Sequence, residues 1–458
     1  MKYDQYQQEV ITSNQNLLVI AGPGSGKTTT ILEKVKYLCK TEDVKDILLL
    51  SFTNKSVNDI KERLNLNIKV MTFHSLATDI LKHYQYPFRI INNHLLSYII
   101  DEYFAILDIK EKKKLYNYLN VIKLNKNSQE YKSLKKLIIS FINLFKTNNH
   151  DFNLLKKIIK DSKEKLLLKI ILDIFLVYEK EKKSCGMLDF DDLIIKATAL
   201  LKNNYHYCHF KYLIIDEFQD TSEIRLNLIK EIYQHSNAII TAVGDDAQSI
   251  FHFSGCDLNI FLNFSKYFDN SKIVYLRNTY RNSQELINIS STFIEKNPLQ
   301  LKKMMISNKH EKNPIIIKRY YSASKTLTKV LKEILLVSSD IMILGRNNND
   351  IYKYLNKDIT FDGNFVYFQN QKIKYLTIHS SKGLESDYVI ILNVSNSLYG
   401  IPNKIEDHPI ISFINNKEKE IPFAEERRVF FVALTRCKYQ TYLLVPRNNP
   451  SPFIKEIK

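Results

Sequence analysis

A short run of small residues lies between an apolar stretch and a helix-like stretch near the start of the chain. Its members, with the lysine and threonines that follow, are Ala21, Gly22, Pro23, Gly24, Ser25, Gly26, Lys27, Thr28 and Thr29. Small residues let consecutive backbone N–H groups approach clustered negative charge, and the next helix N-terminus adds its positive end. In such a loop Lys27 reaches the β- and γ-phosphates, and the Thr28 hydroxyl coordinates Mg²⁺. The run therefore predicts a nucleoside-triphosphate site, although Ala21 stands where the general pattern has glycine.

Two acidic residues follow an apolar run far along the chain. Asp216 and Glu217 come directly after residues 213–215, which are Leu-Ile-Ile. In triphosphate hydrolysis the first acid can hold Mg²⁺, and the second can orient and deprotonate the attacking water. Acids at a strand end are common, so the pair alone predicts little. Together with the phosphate-binding loop it predicts hydrolysis.

A sheet must position these groups, and apolar runs of strand length alternate with helical patterns along most of the chain. The predicted strands are 17–20, 47–50, 68–71, 212–215, 238–243, 273–276, 315–318, 341–344, 373–377, 389–392 and 441–445. The strands up to residue 243 form a first set, and those from residue 273 form a second. This pattern predicts an α/β fold with two parallel-sheet domains that share one cleft.

The pattern changes in residues 85–185, where apolar residues recur at helical spacing and lysines fill other positions. We expect three parts: residues 1–84 with 186–275, the helical insertion 85–185, and residues 276–458. Residues 101–185 contain 19 lysines and 11 acidic residues, and the whole chain has a net charge of +17. This excess favours a polyanionic partner such as nucleic acid. A solvated basic surface or a lysine-rich coding bias would give the same composition.

Composition argues against several other classes of protein. Hydrophobic residues make up 45% and charged residues 25% of the chain, as in ordinary globular proteins. The five cysteines are scattered without a Cys-x-x-Cys, which argues against a disulfide framework or a zinc ribbon. No apolar run reaches the ~18 residues of a membrane span, and no signal-peptide core is present. We expect a soluble, intracellular protein, in the cytoplasm or nucleoid of a bacterium or in the host cell or virion of a virus.

The acidic pair belongs to a longer box, Asp-Glu-Phe-Gln-Asp-Thr at 216–221, which resembles the Asp-Glu-x-Gln-Asp box of the UvrD/Rep/PcrA-like superfamily 1A DNA helicases. Gln7 resembles the glutamine that reads adenine in that family. Further boxes follow in the family's order at 51–55, 72–75, 188–193, 243–250, 278–283, 343–347, 377–385 and 425–436. The resemblance spans nearly the whole chain. It implies two RecA-like domains of the P-loop NTPase type, the first interrupted by a helical insertion called 1B.

The resemblance also implies roles in the nucleotide site. The implied catalytic residues are Lys27, Glu217, Gln248, Arg281 and Arg436. The implied ATP contacts are Gln7, residues 21–29, Tyr280, Arg281, Glu385 and Arg436, and the implied Mg²⁺ ligands are Thr28 and Asp216. An arginine that reaches across a cleft stabilises the charge of phosphoryl transfer, and Arg281 and Arg436 are the candidates. ATP and Mg²⁺ are therefore the expected cofactors.

Sequence-independent binding of a single strand needs aromatic platforms for bases and cations for phosphates. By the resemblance, the residues that face single-stranded DNA are Phe52, Thr53, Asn54, His74, Phe251, Phe253 and His379. Three positions depart from the family pattern. Ser254 replaces an arginine that would pair with a phosphate, Thr29 replaces an arginine beside the adenine, and Arg225 replaces a frequent glutamine. We expect a weaker grip on DNA at Ser254 and derive no consequence for Arg225.

The segment before the box at 377–385 is short. Thr377 follows Arg346 by only 31 positions, where relatives insert a large mobile helical domain, called 2B, that touches duplex DNA. We expect this domain to be absent. Strand separation would then depend on the helical insertion or on an accessory protein that replaces the missing domain.

The predicted function is an ATP-dependent helicase or translocase on single-stranded DNA that opens duplex in repair, recombination or replication, with 3′ to 5′ polarity implied by the resemblance. A first alternative is a motor that translocates or displaces proteins without unwinding, which the missing domain favours. A second is a catalytically silent DNA-binding scaffold, against which the intact Lys27, Asp216 and Glu217 argue. An RNA motor and a 5′ to 3′ motor stay open.

Overall fold

A computed structural model describes residues 3–91, 94–415 and 421–457. Its strands are β1 (Leu17–Ala21), β2 (Ile47–Ser51), β3 (Lys69–Thr72), β4 (Arg89–Ile90), β5 (Met187–Leu188), β6 (Tyr212–Ile215), β7 (Ile239–Gly244), β8 (Lys272–Leu276), β9 (Ile315–Tyr320), β10 (Ile341–Gly345), β11 (Thr360–Phe361), β12 (Phe365–Phe368), β13 (Gln371–Thr377), β14 (Ser386–Ile391) and β15 (Cys437–Pro446). Each apolar run predicted to be a strand overlaps one of these.

The α-helices lie between and beside these strands. They are α1 (Gln5–Thr12), α2 (Lys27–Leu38), α3 (Asn54–Leu64), α4 (Phe73–His83), α5 (Leu95–Ile106), α6 (Ile109–Tyr118), α7 (Gln129–Thr147), α8 (Phe152–Asp161), α9 (Lys165–Ser184), α10 (Phe190–Asn203), α11 (Glu223–Ser236), α12 (Leu258–Leu262), α13 (Gln284–Ile294), α14 (Ala323–Leu335), α15 (Pro409–Ser412) and α16 (Ala424–Leu434). The predicted α/β fold is confirmed.

The first sheet has the strand order β3-β2-β6-β7-β1-β8, and its neighbouring strands all run parallel. Strands β1, β2 and β6 are buried along their whole length, as continuous apolar runs require when helices cover both faces. Parallel strands end at the same edge of a sheet. The loop after β1 and the acidic pair after β6 therefore emerge at one edge, with the end of β7 between them.

Strand β8 belongs to this first sheet and not to the second set, in which the sequence order placed residues 273–276. It pairs with β1 from Leu17↔Lys272 to Ala21↔Leu276 and packs its buried side chains into the core beneath β1. Alternation of strands and helices along a chain does not record which sheet a strand joins, so this grouping was wrong. Because β8 ends beside β1, the box at 278–283 begins next to the phosphate-binding loop.

The second sheet has the order β11-β12-β13-β10-β14-β15-β9. Strands β13, β10, β14, β15 and β9 run parallel, whereas β11 and β12 add an antiparallel hairpin at one edge. A 3₁₀ segment and this hairpin fill the short stretch between Arg346 and β13. The sequence does not predict the hairpin, because strands of two and four residues are too short to show a period.

Helices α5 to α9 form the insertion and bury a separate apolar core, which Ile410, Ile411 and Ile414 also join. Most of its lysines are exposed. Lys146 and Lys182 are buried instead, and they face the carboxylates of Glu179, Asp189 and Asp192. Because the ammonium groups fill the space among these acids, the cluster is an internal salt-bridge network and not a cation site.

Two findings bear on the class of protein. Each of the five cysteines is a free thiol. Within the part of the chain that the structure describes, no helix combines the length and the apolar surface needed to cross a bilayer.

Candidate functional site

The phosphate-binding loop turns sharply between β1 and α2. Gly24 and Gly26 have φ angles of +70° and +80°, a left-handed conformation that residues with side chains disfavour. A Cβ at Gly24 would lie 2.4 Å from the Arg281 Cβ, and one at Gly26 would lie 2.8 Å from the side-chain amide nitrogen of Gln7. Glycine lets the backbone curl toward an anion at the start of α2. The Ser25 hydroxyl is buried in this loop without a hydrogen-bond partner, as expected of a group that meets a phosphate.

Glu217 meets Lys27 directly. The lysine nitrogen lies 3.1 Å from Glu217 Oε1, and Gln219 donates a hydrogen bond to the other carboxylate oxygen at 2.5 Å. Lys382 lies 3.6 Å from that second oxygen. Burial alone would raise the pKa of Glu217, but the charges of Lys27 and Lys382 outweigh it and hold the pKa well below its usual value. Glu217 is therefore ionised, which is the form that a general base needs.

Asp216 is buried beside Glu217 and suits a metal ligand. Burial, and then the neighbouring carboxylate, raise the pKa of Asp216 to about 7. A divalent cation beside this group would offset that penalty. The Asp216 carboxylate and the Thr28 hydroxyl, in the first turn of α2, form an all-oxygen donor set of the kind that Mg²⁺ prefers. The residues present therefore fit Mg²⁺.

Gln248 connects two halves of the molecule. The first half is named here for residues 1–84 and 186–275, which flank the insertion, and the second half for residues 276–458. The Gln248 side-chain oxygen accepts a hydrogen bond from Arg436 Nη2 at 3.0 Å, and its amide nitrogen donates to Asp245 Oδ2 at 2.5 Å. Burial, and then the nearby Arg281, lower the pKa of Arg436 to about 9. Two guanidinium groups in one buried cleft favour an anion between them.

Arg281 contacts both Glu385 and the phosphate-binding loop. Its Nε donates to Glu385 Oε2 at 2.7 Å, so two predicted ATP contacts pair with each other. The backbone N–H of Tyr280 donates to the Gly24 carbonyl at 2.8 Å, and the Thr279 hydroxyl donates to the Pro23 carbonyl at the same distance. The segment that carries Arg281 is thus fixed to the loop.

Gln7 and Tyr280, the residues predicted to hold adenine, both adjoin Gly26. Asp4 links them, because one carboxylate oxygen accepts the Gln7 N–H and the other accepts the Tyr280 hydroxyl, each at 2.8 Å. The sequence analysis did not single out Asp4. The Asp-x-x-Gln pattern of a capping box is the signal that identifies it.

Lys303, which belongs to no sequence box, neutralises the acids beside Gln248. It pairs with both Asp245 and Asp246, whose side chains are fully buried. Burial would lower the pKa of Lys303, but the two carboxylates outweigh it and hold the pKa above its usual value. Without this ammonium group, two buried carboxylates would stand uncompensated next to the predicted triphosphate. No sequence signal distinguishes Lys303 from other lysines, because its partners lie far away along the chain.

Replacing Lys303 with methionine is expected to lower kcat for ATP hydrolysis by about 10- to 100-fold, the usual cost of losing a residue that orients a catalytic group. The physical reason is that Asp245 would no longer be held in place to accept from Gln248. Steady-state hydrolysis with single-stranded DNA measures the effect, and Lys303→Arg should recover part of it. Lys302→Met is the matched control, since Lys302 is exposed. Wild-type kcat in a folded Lys303→Met protein would contradict the role.

A groove with aromatic walls runs along the same edge of the first sheet. Phe52, Asn54, His74 and Phe190 line one part of it. His74 meets Phe190 edge-on, with 5.4 Å between ring centroids. Burial, and then Arg225, lower the pKa of His74 to about 4, so this ring is neutral at pH 7. Phe190 is 48% exposed and adds an aromatic surface that the sequence analysis did not predict, although it lies in the box at 188–193.

The structure shows what Arg225 contacts, which the sequence alone did not indicate. Its guanidinium lies 5.1 Å from the Phe52 ring centroid and lines the groove together with Phe253 and Ser254. A cation for phosphate is therefore present in the part of the groove where Ser254 replaces the family arginine.

Phe251, Phe253 and His379 form a second aromatic cluster, with ring centroids 5.8 to 6.3 Å apart. Phe253 is 62% exposed, whereas Phe251 is half-buried with the Lys382 ammonium over its ring. Burial, and then the charges of Arg346 and Lys382, lower the pKa of His379 to about 4. The cluster thus presents Phe253 to the groove.

The predicted threonines lie at helix starts. The Thr53 hydroxyl caps α3 by accepting from the Ser56 N–H at 3.1 Å, and Asn54 begins that helix beside the groove. Thr29 is half-buried in the first turn of α2. The groove contact of Thr53 stays a prediction, as its hydroxyl is engaged in the cap.

Comparison with known proteins agrees with this arrangement. A family model described as UvrD/REP helicase N-terminal domain matches residues 3–269, and one described as UvrD-like helicase C-terminal domain matches residues 362–447. The chain is 26% identical to DNA helicase IV of Escherichia coli (strain K12), over 98% of this chain and 69% of that protein. It is 30% identical to ATP-dependent DNA helicase Rep of Buchnera aphidicola subsp. Schizaphis graminum (strain Sg), over 86% and 62%.

A third relative is ATP-dependent DNA helicase PcrA of Bacillus subtilis (strain 168), which is 27% identical over 64% of this chain and 39% of that protein. The chain thus spans between 39% and 69% of the length of these relatives. The N-terminal family model covers more than half of the chain, including the phosphate-binding loop, the insertion and every strand of the first sheet except β8. The chain therefore belongs to the UvrD/REP helicase family.

Proposed function

We propose that this protein is an ATP- and Mg²⁺-dependent motor that moves along single-stranded DNA and opens duplex DNA at single-strand/duplex junctions. The observation that carries the proposal is the meeting of two halves at one cleft. Arg436 bonds to Gln248, and Arg281 adjoins Gly24, so arginines of the second half reach the phosphate side of the first. The relatives named DNA helicases support DNA as the substrate.

The cleft residues divide the chemistry of phosphoryl transfer. When bound, Mg²⁺-ATP supplies the phosphoanhydride bond whose hydrolysis drives movement. Glu217 accepts a proton from the attacking water, while Lys27 and the two arginines stabilise the charge that develops. Arg281, whose segment is fixed to the phosphate-binding loop, contacts Glu385, and Arg436 contacts Gln248. These contacts hold the cleft closed, and their release lets it open.

Opening and closing of the cleft would act on the strand through the aromatic groove. Phe52 and Phe253 belong to the first half, whereas His379 belongs to the second, and the two halves meet at the Phe253–His379 contact of 5.8 Å. Each cycle would therefore shift one set of stacking surfaces relative to the other. This coupling converts hydrolysis into translocation.

We further propose a division of labour along the chain. Residues 1–84 with 186–275 act as the nucleotide-binding domain 1A, residues 85–185 as the insertion 1B, and residues 276–458 as domain 2A. Movement is 3′ to 5′, and the protein works in DNA repair, recombination or replication. An accessory protein at the place of the 2B domain is part of this proposal.

A second candidate is a translocase that does not unwind duplex by itself. It is favoured by the stretch between Arg346 and β13, which holds only a 3₁₀ segment and the hairpin of β11 and β12. An RNA track for the same motor would show the same cleft. Unwinding and hydrolysis assays on strands of different chemistry and polarity separate these outcomes.

The test is ATP-dependent unwinding of duplexes that carry a 3′ tail, a 5′ tail or an RNA tail, with hydrolysis measured in parallel. Lys27→Ala is the control that removes the phosphate contact. Unwinding of the 3′-tailed DNA duplex alone, lost in Lys27→Ala, is the expected result. Strand-stimulated hydrolysis without unwinding would favour the translocase, and no hydrolysis on any strand would overturn the motor.

Replacing Phe253 with alanine is expected to weaken single-strand binding by about 1–3 kcal/mol, the usual contribution of one base–aromatic stack. Phe253 is the exposed member of its cluster, so its ring face is available to a base. Fluorescence anisotropy with a labelled oligothymidine measures the change. Tyr205→Ala is a matched control, because Tyr205 is 59% exposed and stacks on His235 away from the groove. Equal affinity of Phe253→Ala and wild type would rule out stacking at this ring.

A further inference from the structure

Residues 403–415, named here the strap, leave the second half of the molecule and pack into the helical insertion. Helix α15 lies within the strap. Ile410, Ile411 and Ile414 are at most 5% exposed and join the apolar core formed by α5 to α9. The strap is therefore attached to the insertion by the same burial that holds the insertion itself together.

Hydrogen bonds fix both ends of the strap. At its far end, the side chains of Asn148 and His150 bond to the Ile414 carbonyl at 2.8 and 2.9 Å. At its root, the Asn403 N–H donates to Glu426 Oε2 at 2.8 Å, on helix α16 of the second half. The strap thus bridges the second half and the insertion.

A cavity of about 640 Å³ lies between the strap and the aromatic groove. Its walls include His252 and Phe253 of the first half, Arg346 and His379 of the second half, and Asn403, Ile405, Glu406 and Asp407 of the strap. Phe253 lines both this cavity and the aromatic groove, so the two spaces adjoin. A strand that lies in the groove would therefore continue through the cavity.

The other sides of this cavity are also closed by contacts. The end of α7 packs on the turn that follows Phe253, where a Cβ at Gly255 would lie 2.6 Å from Thr147 Cγ2. Lys382 of the second half bonds to Asp220 of the first half at 2.6 Å. First half, insertion, strap and second half thus form a closed ring around the cavity.

We infer that the strap closes the groove into a channel that encircles one nucleic-acid strand. The inference rests on the proposed function and adds a way to stay on the strand. An encircled strand cannot leave sideways even when its contacts with the groove are broken. Such retention suits a motor that releases its track at every cycle.

The charge of the strap indicates that it retains the strand without binding it. Glu406 and Asp407 line the cavity, and carboxylates repel phosphates. On the other walls Arg346 is paired with Glu426 at 2.7 Å, and Asp257 and Glu425 add further carboxylates. The strand would therefore rest on the aromatic Phe253–His379 pair, and the strap would act as a barrier.

A cross-link across the strap contact tests the ring. Asn149 and Phe413 are exposed residues beside the bonded pair, so Asn149→Cys with Phe413→Cys can be joined by a short bis-maleimide. The background carries serine at Cys39, Cys185 and Cys208. The protein is cross-linked before or after it binds a circular or a linear single-stranded DNA, and the complexes are then washed in 1 M salt, which removes electrostatic binding.

Cross-linking after loading should leave most of the protein on the circle after the wash, and cutting the circle should release it. Cross-linking before loading should abolish this salt-resistant binding to circles but allow binding to linear strands, which can thread. Equal loss from circles with and without the cross-link would overturn the channel, as would failure of the cysteine pair to cross-link. Protein with Phe413→Cys alone is the control.

A second pair of variants probes the strap without cross-linking. Ile411→Asp should open the strap and shorten the residence time on circular single strands at least fivefold, whereas Phe413→Asp, on the same segment but outside the buried core, should not. Equal residence times would contradict the inference. Binding to short linear strands at low salt tests the proposed function separately. If the unmodified protein did not bind such strands, the proposed motor function would be wrong, whatever the role of the strap.

Discussion

Arg436→Lys should lower DNA-stimulated ATP hydrolysis by about 10³- to 10⁵-fold, the range that an arginine finger contributes to phosphoryl transfer. Arg436 is 1% exposed and donates to the Gln248 side chain at 3.0 Å and to the Val432 carbonyl at 2.9 Å. Lysine keeps the charge but cannot present a planar fork to both Gln248 and a phosphate. Single-turnover hydrolysis at saturating ATP and DNA measures the chemical step.

The control for this change lies on the same stretch of chain. Arg427 is held by Glu456 through hydrogen bonds of 2.8 and 3.0 Å, as a structural arginine would be. Arg427→Lys should therefore leave the hydrolysis rate unchanged. If Arg436→Lys hydrolysed ATP at the wild-type rate, Arg436 would have a structural role at the end of α16 and no catalytic role.

Glu217→Gln should lower ATP turnover by about 10²- to 10⁴-fold while ATP and single-stranded DNA still bind. The amide keeps the shape of the side chain and its contact with Lys27, but it cannot accept the proton of the attacking water. The residue sits at φ = 52°, a left-handed conformation that both residues enter at similar cost, so the substitution should not disturb the turn. Phosphate release and equilibrium binding of a fluorescent ATP analogue give the two readouts.

Glu223→Gln provides the comparison, because Glu223 begins α11 just beyond the same box and has no part in the cleft. Its turnover should match that of wild type. A Glu217→Gln protein with normal turnover would exclude Glu217 as the base. One that fails to bind ATP would instead show that its charge is needed to place Lys27.

Glu217 and Arg436 are connected through a chain of hydrogen bonds. Gln219 donates to Glu217 and accepts the Asp245 N–H at 2.9 Å, Asp245 accepts from Gln248 at 2.5 Å, and Gln248 accepts from Arg436. A change at the finger can therefore displace the base, and the reverse holds as well. The losses caused by Arg436→Lys and Glu217→Gln should not add in the double variant.

The sequence by itself predicted the chemistry and determined the kind of fold. Glycines that must adopt positive φ, a lysine and a threonine at the start of a helix, and acids after an apolar run are local patterns. Because local conformation depends mostly on neighbouring residues, the phosphate-binding loop and the strands predicted from apolar runs all lie where the pattern placed them. The ordered boxes added the family, which the comparisons confirm.

Only the tertiary structure decided which distant groups meet. Strand β8 pairs with β1 in the first sheet, and Lys303 pairs with Asp245 and Asp246, which lie more than fifty positions earlier in the chain. Likewise, Arg225 faces the groove and the strap reaches the insertion. These contacts are set by the packing of whole layers against each other. A linear pattern records the residues that can pack but not the partners that packing selects.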